Sequence, residues 1–227
     1  MASYSIPPQF EAAWIFSEGL APVQTGGQWG YIDTTGQTII APQFEAAWGF
    51  PEGLAPVQID GQWGFIDRTG RFVIPPQFDQ SAGHFSEGLA AVVIGIESSY
   101  IDKTGRLLVR PEFDELGGPF SEGLAEGIVG FQMGFIDRTG QFVIPPRFDW
   151  VGIFSEGLAP TKLDEKPYYI DRHGHIVSTP GLDFGLLGGQ FSEGLAPVQV
   201  EEKWGYISRH TIEEWDGSFE EFSALKS

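Results

Sequence analysis

The sequence predicts an all-β protein of tandem repeats, each a three- to four-stranded antiparallel meander, stacked as an open solenoid-like array. Three observations predict it. Close versions of Phe-Ser-Glu-Gly-Leu-Ala begin at Phe16, Phe50, Phe85, Phe120, Phe154 and Phe191, at steps of 34, 35, 35, 34 and 37 residues. A fixed period in that range marks a repeat architecture. Short β-type runs alternate with turn signals throughout, and no window of useful length places apolar residues at the i, i+3, i+4 spacing of a helix.

The second repeat shows each element most clearly. Phe50-Pro-Glu-Gly-Leu-Ala opens a first run that ends at Ile59, and Asp60-Gly61 follows. Asp-Gly between apolar runs is a strong hairpin signal. Trp63-Gly-Phe-Ile is the second run. Asp67-Arg-Thr-Gly70 then has Asp first and Gly last, as a type I turn prefers, with the Asp side chain bonding its own backbone. The third run, Phe72-Val-Ile, meets Pro75-Pro76. Proline lacks the amide proton that a ladder needs, so the run is expected to end there. The stretch beyond adds either a fourth short strand or an irregular turn.

The Asp-to-Gly tetrad recurs at Asp33, Asp102, Asp137 and Asp171, and decays to Ser208-Arg-His-Thr211 in the sixth repeat. The proline element recurs as Ile6-Pro-Pro-Gln-Phe, Ile40-Ala-Pro-Gln-Phe, Val109-Arg-Pro-Glu-Phe and Ile144-Pro-Pro-Arg-Phe. The expected core is the Phe and Leu of the lead motif, the Trp, and the Ile before Asp; each buried aromatic removes about 150–250 Å² from water. Glycines after Glu and after Trp are expected to supply positive φ or a close backbone approach.

Taken together, Phe-Ser-Glu-Gly-Leu-Ala, Trp-Gly-Tyr/Phe-Ile-Asp, Thr-Gly and Ile-Pro-Pro-Gln-Phe resemble the bacterial WG-repeat family, also called KWG repeats, from about Ile6 to Ile207. The Trp-Gly pair stands at Trp29-Gly30, Trp63-Gly64 and Trp204-Gly205. It is Met133-Gly134 in the fourth repeat, Ser98-Ser99 in the third and Pro167-Tyr168 in the fifth, so the third and fifth are expected to be the softest. The resemblance implies a β-repeat scaffold that mediates interactions, with no shared catalytic residues and no specified ligand.

On this reading residues 1–210 form one domain of six repeats, and residues 211–227 form an acidic, aromatic C-terminal cap or tail. A closed six-bladed β-propeller is the alternative, because residues 4–15 resemble the second half of a repeat and Trp204 to Ile207 a first half. Three points favour the open array. The step is short beside the ~40–45 residues of a four-stranded blade. Thr211 to Phe222 looks like a degraded second half of its own, which suits a cap. WG-type arrays also resemble structures of variable repeat number.

Charge and motifs narrow the function. The net charge is −18, and no Lys or Arg precedes Arg68. An acidic surface repels phosphate backbones and anionic bilayers, so neither nucleic acid nor membrane is an expected partner. The charge serves solubility, or an acidic face made for a basic protein partner. Without cysteine there is no disulfide framework and no thiolate chemistry. The first residues lack a basic region followed by an apolar one, and no apolar run approaches the ~20 residues of a membrane helix, so a cytoplasmic protein is expected. No phosphate loop, EF-hand loop or Gly-x-Ser-x-Gly elbow occurs. Glu18, Glu52, Glu87, Glu122, Glu156 and Glu193 are read as acceptors of backbone amides in the turn before Leu, not as a cation-binding ladder. His173-Gly-His175 is the one close histidine pair, and with no third donor beside it no metal site is assigned. No cofactor, metal or enzymatic activity is expected.

In a repeat protein the shared positions build the frame and the differing ones carry specificity. One differing zone lies between the Phe after the prolines and the next lead motif; the other is the turn before Trp-Gly. Trp14, Trp48 and Trp150 fall in the first zone. Further core is the first reading of them, and on an exposed edge they would be interface anchors. Trp215 and Phe219 lie in the tail, which either caps the array or docks on a basic groove. The expected function is a non-catalytic protein–protein interaction scaffold that uses variable inter-repeat loops and an acidic surface. A carbohydrate-binding, lectin-like module is the alternative, suggested by the Trp and Tyr content.

Overall fold

Two left-handed turns shape the repeats. The structure is a computed structural model that describes residues 4–81, 83–109, 117–177, 189–200 and 203–213. In the lead motif Ser17 and Leu20 exchange backbone hydrogen bonds of 2.8 and 3.1 Å. Glu18 and Gly19 between them take φ of 48° and 83°, and the pattern recurs at Glu52, Glu87, Glu122, Glu156 and Glu193 with their following glycines. Gly adopts this region freely, whereas Glu does so at a cost of roughly 1–2 kcal/mol. The second turn is the hairpin tip, where Asp60 and Gly61 sit at φ 51° and 74°, as the Asp-Gly signal predicts.

The N-terminal half, Met1–Pro119, holds three four-stranded antiparallel sheets. The first is β1 (Ala12–Ala13), β2 (Leu20–Thr25), β3 (Gln28–Asp33) and β4 (Thr38–Phe44). The second is β5 (Ala46–Ala47), β6 (Ala55–Ile59), β7 (Gln62–Ile66) and β8 (Phe72–Phe78). The third is β9 (Gln80–Ser81), β10 (Leu89–Ile94), β11 (Glu97–Asp102) and β12 (Leu107–Val109). In the C-terminal half, Phe120–Ser227, β13 (Ala125–Val129), β14 (Gln132–Ile136) and β15 (Phe142–Phe148) form one sheet. A second holds β16 (Trp150–Val151), β17 (Ala159–Leu163) and β18 (Lys166–Ile170), and β19 (Leu195–Val200) pairs with β20 (Lys203–Ser208). Every sheet is a meander in chain order, as predicted, and none of those described closes into a barrel.

The extra short strand exists, but it opens a sheet. Ala46 and Ala47 pair with Gln58 and Val57 of the following repeat. The prolines, in turn, do not end the third strand. β8 runs through Pro75 and Pro76 to Phe78. Trp63 faces Phe78 while Phe65 faces Ile74, so the outer strand carries two more residues than its partner between those pairs. This is a bulge on an outer strand, where the missing proline amides cost no ladder bond. It closes because Gly64 has no side chain. A Cβ there would stand 2.7 Å from both Ile74 O and Pro76 N.

Within each half the core lies between consecutive sheets. Tyr31 and Phe44 of the first pack with Phe50 and Val57 of the second. The lead Phe seats beside the aromatic of the preceding repeat, with ring centroids 4.8 Å apart for Tyr31–Phe50, 4.9 Å for Phe65–Phe85 and 4.6 Å for Phe135–Phe154. The Trp of Trp-Gly is less central than expected. Trp29 and Trp63 are partly buried at the margins of clusters, and Trp204 is exposed. The fully buried aromatics are the lead Phe of the second to fifth repeats (Phe50, Phe85, Phe120, Phe154), the residue two beyond the Trp position (Tyr31, Phe65, Tyr100, Phe135, Tyr169) and the Phe that follows the prolines (Phe44, Phe78, Phe148), whereas Phe16 is exposed.

In the sixth repeat the tetrad becomes α1 (Arg209–Glu213). Ser208 Oγ accepts the Thr211 amide at 3.2 Å, an N-cap where the other repeats have an Asp turn. Residues 209–213 are therefore helical and Ile212 is buried in the core of the last repeats, while the rest of the expected cap or tail lies outside the described residues. Trp215 and Phe219 lie outside the described residues. Among the described residues no helix is long and apolar enough to cross a membrane.

Candidate binding site

Carboxylates brace the backbone in three places, and these set what remains for binding. In the tetrad, Asp33 Oδ1 accepts the Thr35 hydroxyl at 2.6 Å and the Thr35 and Gln37 amides at 2.8 and 3.0 Å. The hydroxyl above all, with the amides, holds this carboxyl below the usual carboxylate range, and Asp67, Asp102 and Asp137 are held likewise. The lead glutamates do accept backbone amides, but from the next repeat's turn. Glu18 takes Gly53 N–H at 3.1 Å, Glu52 takes Gly88 at 2.9 Å, and Glu122 takes Gly157 at 3.0 Å. A cation reaches back the other way: Lys103, Arg172 and Arg209 donate to the carbonyls of Glu52, Glu122 and Glu156 at 2.9, 2.6 and 2.7 Å. Each repeat so joined is clipped to its neighbour from both sides, which fixes the left-handed Glu.

The third set was missed in the sequence. The residue after the buried Phe is acidic and holds the next hairpin tip: Glu11 accepts Gly26 and Gly27, Glu45 accepts Gly61, and Asp79 accepts Gly95, at 2.6–3.0 Å. Its acidity before the first five lead motifs (Glu11, Glu45, Asp79, Asp114, Asp149), broken only by Gly185 before the sixth, was the signal. The first differing zone therefore starts one residue later than its apparent edge.

Within that zone, the place two residues before the lead Phe reads Trp14, Trp48, Gly83, Gly118, Gly152 and Gly189. Its backbone is held. The Trp48 amide bonds Pro56 O at 3.2 Å, and the buried Tyr31 hydroxyl donates to Trp48 O at 2.7 Å. Burial pushes the Tyr31 phenol far up, so it stays a donor. The side chain, by contrast, faces out: Trp14 and Trp48 are 53 % and 48 % exposed. Their ring centroids lie 5.6 Å apart at 32°, and Trp14 also stacks on Trp29 at 6.4 Å. Beyond Trp48 the row has only Gly83, and the room left is a cavity of about 480 Å³ lined by both tryptophans, Ile15, Pro51 and His84. That volume is in the range of small-ligand and side-chain pockets, and the lining is mainly apolar.

Trp150 is placed otherwise. It stands four residues before its Phe, in β16, half-buried against the core cluster that includes Leu158, Tyr169 and Phe191. Spacing to the lead Phe separates it from the other two. The second differing zone exposes Ile96 and Phe131 almost completely at hairpin tips; Phe131 was not singled out in the sequence. The histidine pair does have a third donor beside it, because the turn brings Asp171 Oδ2 to 3.0 Å from His175 Nδ1 and 3.8 Å from His173 Nδ1.

The model of a family described as WG containing repeat matches residues 4–29, 29–63, 63–95, 99–126, 133–166 and 169–204. No curated protein matches the sequence. Among solved structures, Hsv2p of Kluyveromyces lactis is similar with a TM-score of 0.55 at 10% identity, over 88% of this chain and 74% of that one. A eukaryotic initiation factor is similar with a TM-score of 0.56 at 14% identity, over 87% of this chain and 61% of that one. At such identities the likeness is one of fold alone, to β-propeller-like proteins.

Proposed function

We propose, from the premise that this chain belongs to the WG-repeat family, that it is a non-catalytic scaffold for protein–protein interaction whose main contact is the Trp14–Trp48 pocket. The exposed tryptophan pair carries this reading. A buried frame holds both backbones, so the rings are pre-positioned and lose little freedom on binding, as interface anchors do. The apolar lining suits an apolar or aromatic side chain of a partner. The net charge of −18 favours a partner with a basic surface.

A tagged chain incubated with native extract and read by mass spectrometry should retain one protein at near-stoichiometric amounts. Trp14→Ala and Trp48→Ala should each lose it, with the far-UV circular dichroism unchanged. Retention by both variants would remove the pocket from the contact. The same tryptophans favour a second reading, stacking on a sugar ring, against which stands the scarcity of polar groups in the lining to meet sugar hydroxyls. A glycan array with hits abolished by Trp48→Ala would establish it.

A further inference from the structure

The tetrad of the fifth repeat departs from its siblings at two places, and imidazoles fill both. At Asp33, Asp67, Asp102 and Asp137 the third residue is Thr, whose hydroxyl bonds Asp Oδ1 at 2.6 Å. The residue after the tetrad is Gln37, Arg71, Arg106 or Gln141. After Asp171 these places hold His173 and His175. The turn itself is unchanged: Asp171 Oδ1 accepts the His173 and His175 amides at 2.8 and 2.9 Å. One oxygen thus maintains the turn, and the other is turned to the rings, 3.0 Å from His175 Nδ1 and 3.8 Å from His173 Nδ1. The two imidazoles are stacked with centroids 5.8 Å apart, and one donor atom from each of the three residues lies within 4.8 Å of the others.

A further departure braces the same loop. Gln43 and Gln77 bond a carbonyl two residues back, at 3.3 Å. Arg147, at the equivalent place, instead donates to Gly174 O at 2.6 Å, the carbonyl between the two histidines. Its guanidinium lies 4.9 Å above the Phe148 ring.

We propose that Asp171, His173 and His175 form a binding site for a divalent transition metal ion of the zinc type. Two imidazoles and a carboxylate suit Zn²⁺, Ni²⁺ or Cu²⁺, whereas Mg²⁺ and Ca²⁺ require sets of oxygens. Donors ~2.0–2.2 Å from a shared tetrahedral ion lie about 3.3–3.6 Å apart; the His175–Asp171 pair is inside that spacing and the His173–Asp171 pair just outside it, and rotation of the two exposed rings supplies the adjustment. Three protein donors leave the solvent side of the ion open, for water or for a donor from a bound partner. The backbone bonds of Asp171 Oδ1 and the Arg147 brace fix the loop without using any of the three metal-facing atoms.

The test is titration of the full chain with ZnCl₂ near neutral pH, by calorimetry and by NMR of the histidine ring protons. One ion per chain should bind, and the signals of His173 and His175 should move while those of His84 and His210 stay. The double variant His173→Thr/His175→Gln rebuilds the turn of the fourth repeat, Asp137-Arg-Thr-Gly-Gln141, and should fold normally yet lose the stoichiometric binding. MgCl₂ in excess should not compete. Absence of one-to-one binding, or binding of equal strength in the double variant, would overturn the assignment.

Discussion

A Cβ added at Gly64 would stand 2.7 Å from Ile74 O and from Pro76 N, both backbone atoms that cannot rotate away. At Gly61 the added atom would meet nothing within 4 Å, and only the φ of +74° opposes it. Gly61→Ala should therefore cost roughly 1–2 kcal/mol through the left-handed backbone alone. Gly64→Ala should cost more than that, about 3 kcal/mol at the upper end of overpacking, because the bulge must shift. Urea unfolding of the two variants decides it; equal losses would mean the bulge does not need the close approach. The tetrad aspartates give a prediction in pH. Their folded-state carboxyls lie below the ordinary value, chiefly through the threonine hydroxyl. A depressed pKa adds stability that is fully present above the unfolded value of about 3.9 and is lost as pH falls through the folded one. Thr69→Val should thus move the Asp67 carboxyl back up, read by NMR titration, and the variant's deficit against wild type should vanish at acid pH.

Between elements, the tyrosine hydroxyl is the most exacting contact. Tyr169 donates to Gly189 O at 2.6 Å and Tyr100 to Gly118 O at 2.9 Å, while the second and fourth repeats have Phe65 and Phe135 at this place. Tyr169→Phe keeps the ring and removes one buried hydrogen bond, so it should lower stability by about 1 kcal/mol, and a carbonyl left dry would raise that toward ~3. A thermal midpoint equal to wild type would show that water replaces the hydroxyl. Strand order and turns were legible because Asp-Gly, Thr-Gly and the lead motif are local signals that the backbone obeys locally. The proline bulge was not, since it depends on Gly64 across the ladder, and proline read along one strand only says stop. Nor was the pairing of Ala46–Ala47 with the following repeat, because two residues carry no period. The acid after the buried Phe looked variable for a similar reason: its partner is 16 residues on, at Gly61 for Glu45. Trp14 and Trp48 were found by composition but could not be separated from Trp150 until the spacing to the lead Phe had a structural meaning.

At the scale of the whole molecule, the proposed scaffold function would divide the work of binding between charge and apolar contact in a way that kinetics can resolve. The chain carries a net charge of −18. The summed field of its acidic side chains reaches beyond contact distance and would speed the approach of the proposed basic partner, to a degree that falls with ionic strength. On the proposed function the Trp14–Trp48 pocket would act only after contact, by burying apolar surface that salt does not screen. Raising salt should therefore lower the association rate with little change in dissociation, whereas Trp48→Ala should speed dissociation and leave the association rate near that of wild type. Biolayer interferometry on the partner retained by the wild-type chain measures both rates. If salt changed only dissociation, the acidic groups would lie inside the contact rather than around it. If Trp48→Ala changed only association, the tryptophan would be guiding encounter, and the pocket would have no share in holding the partner.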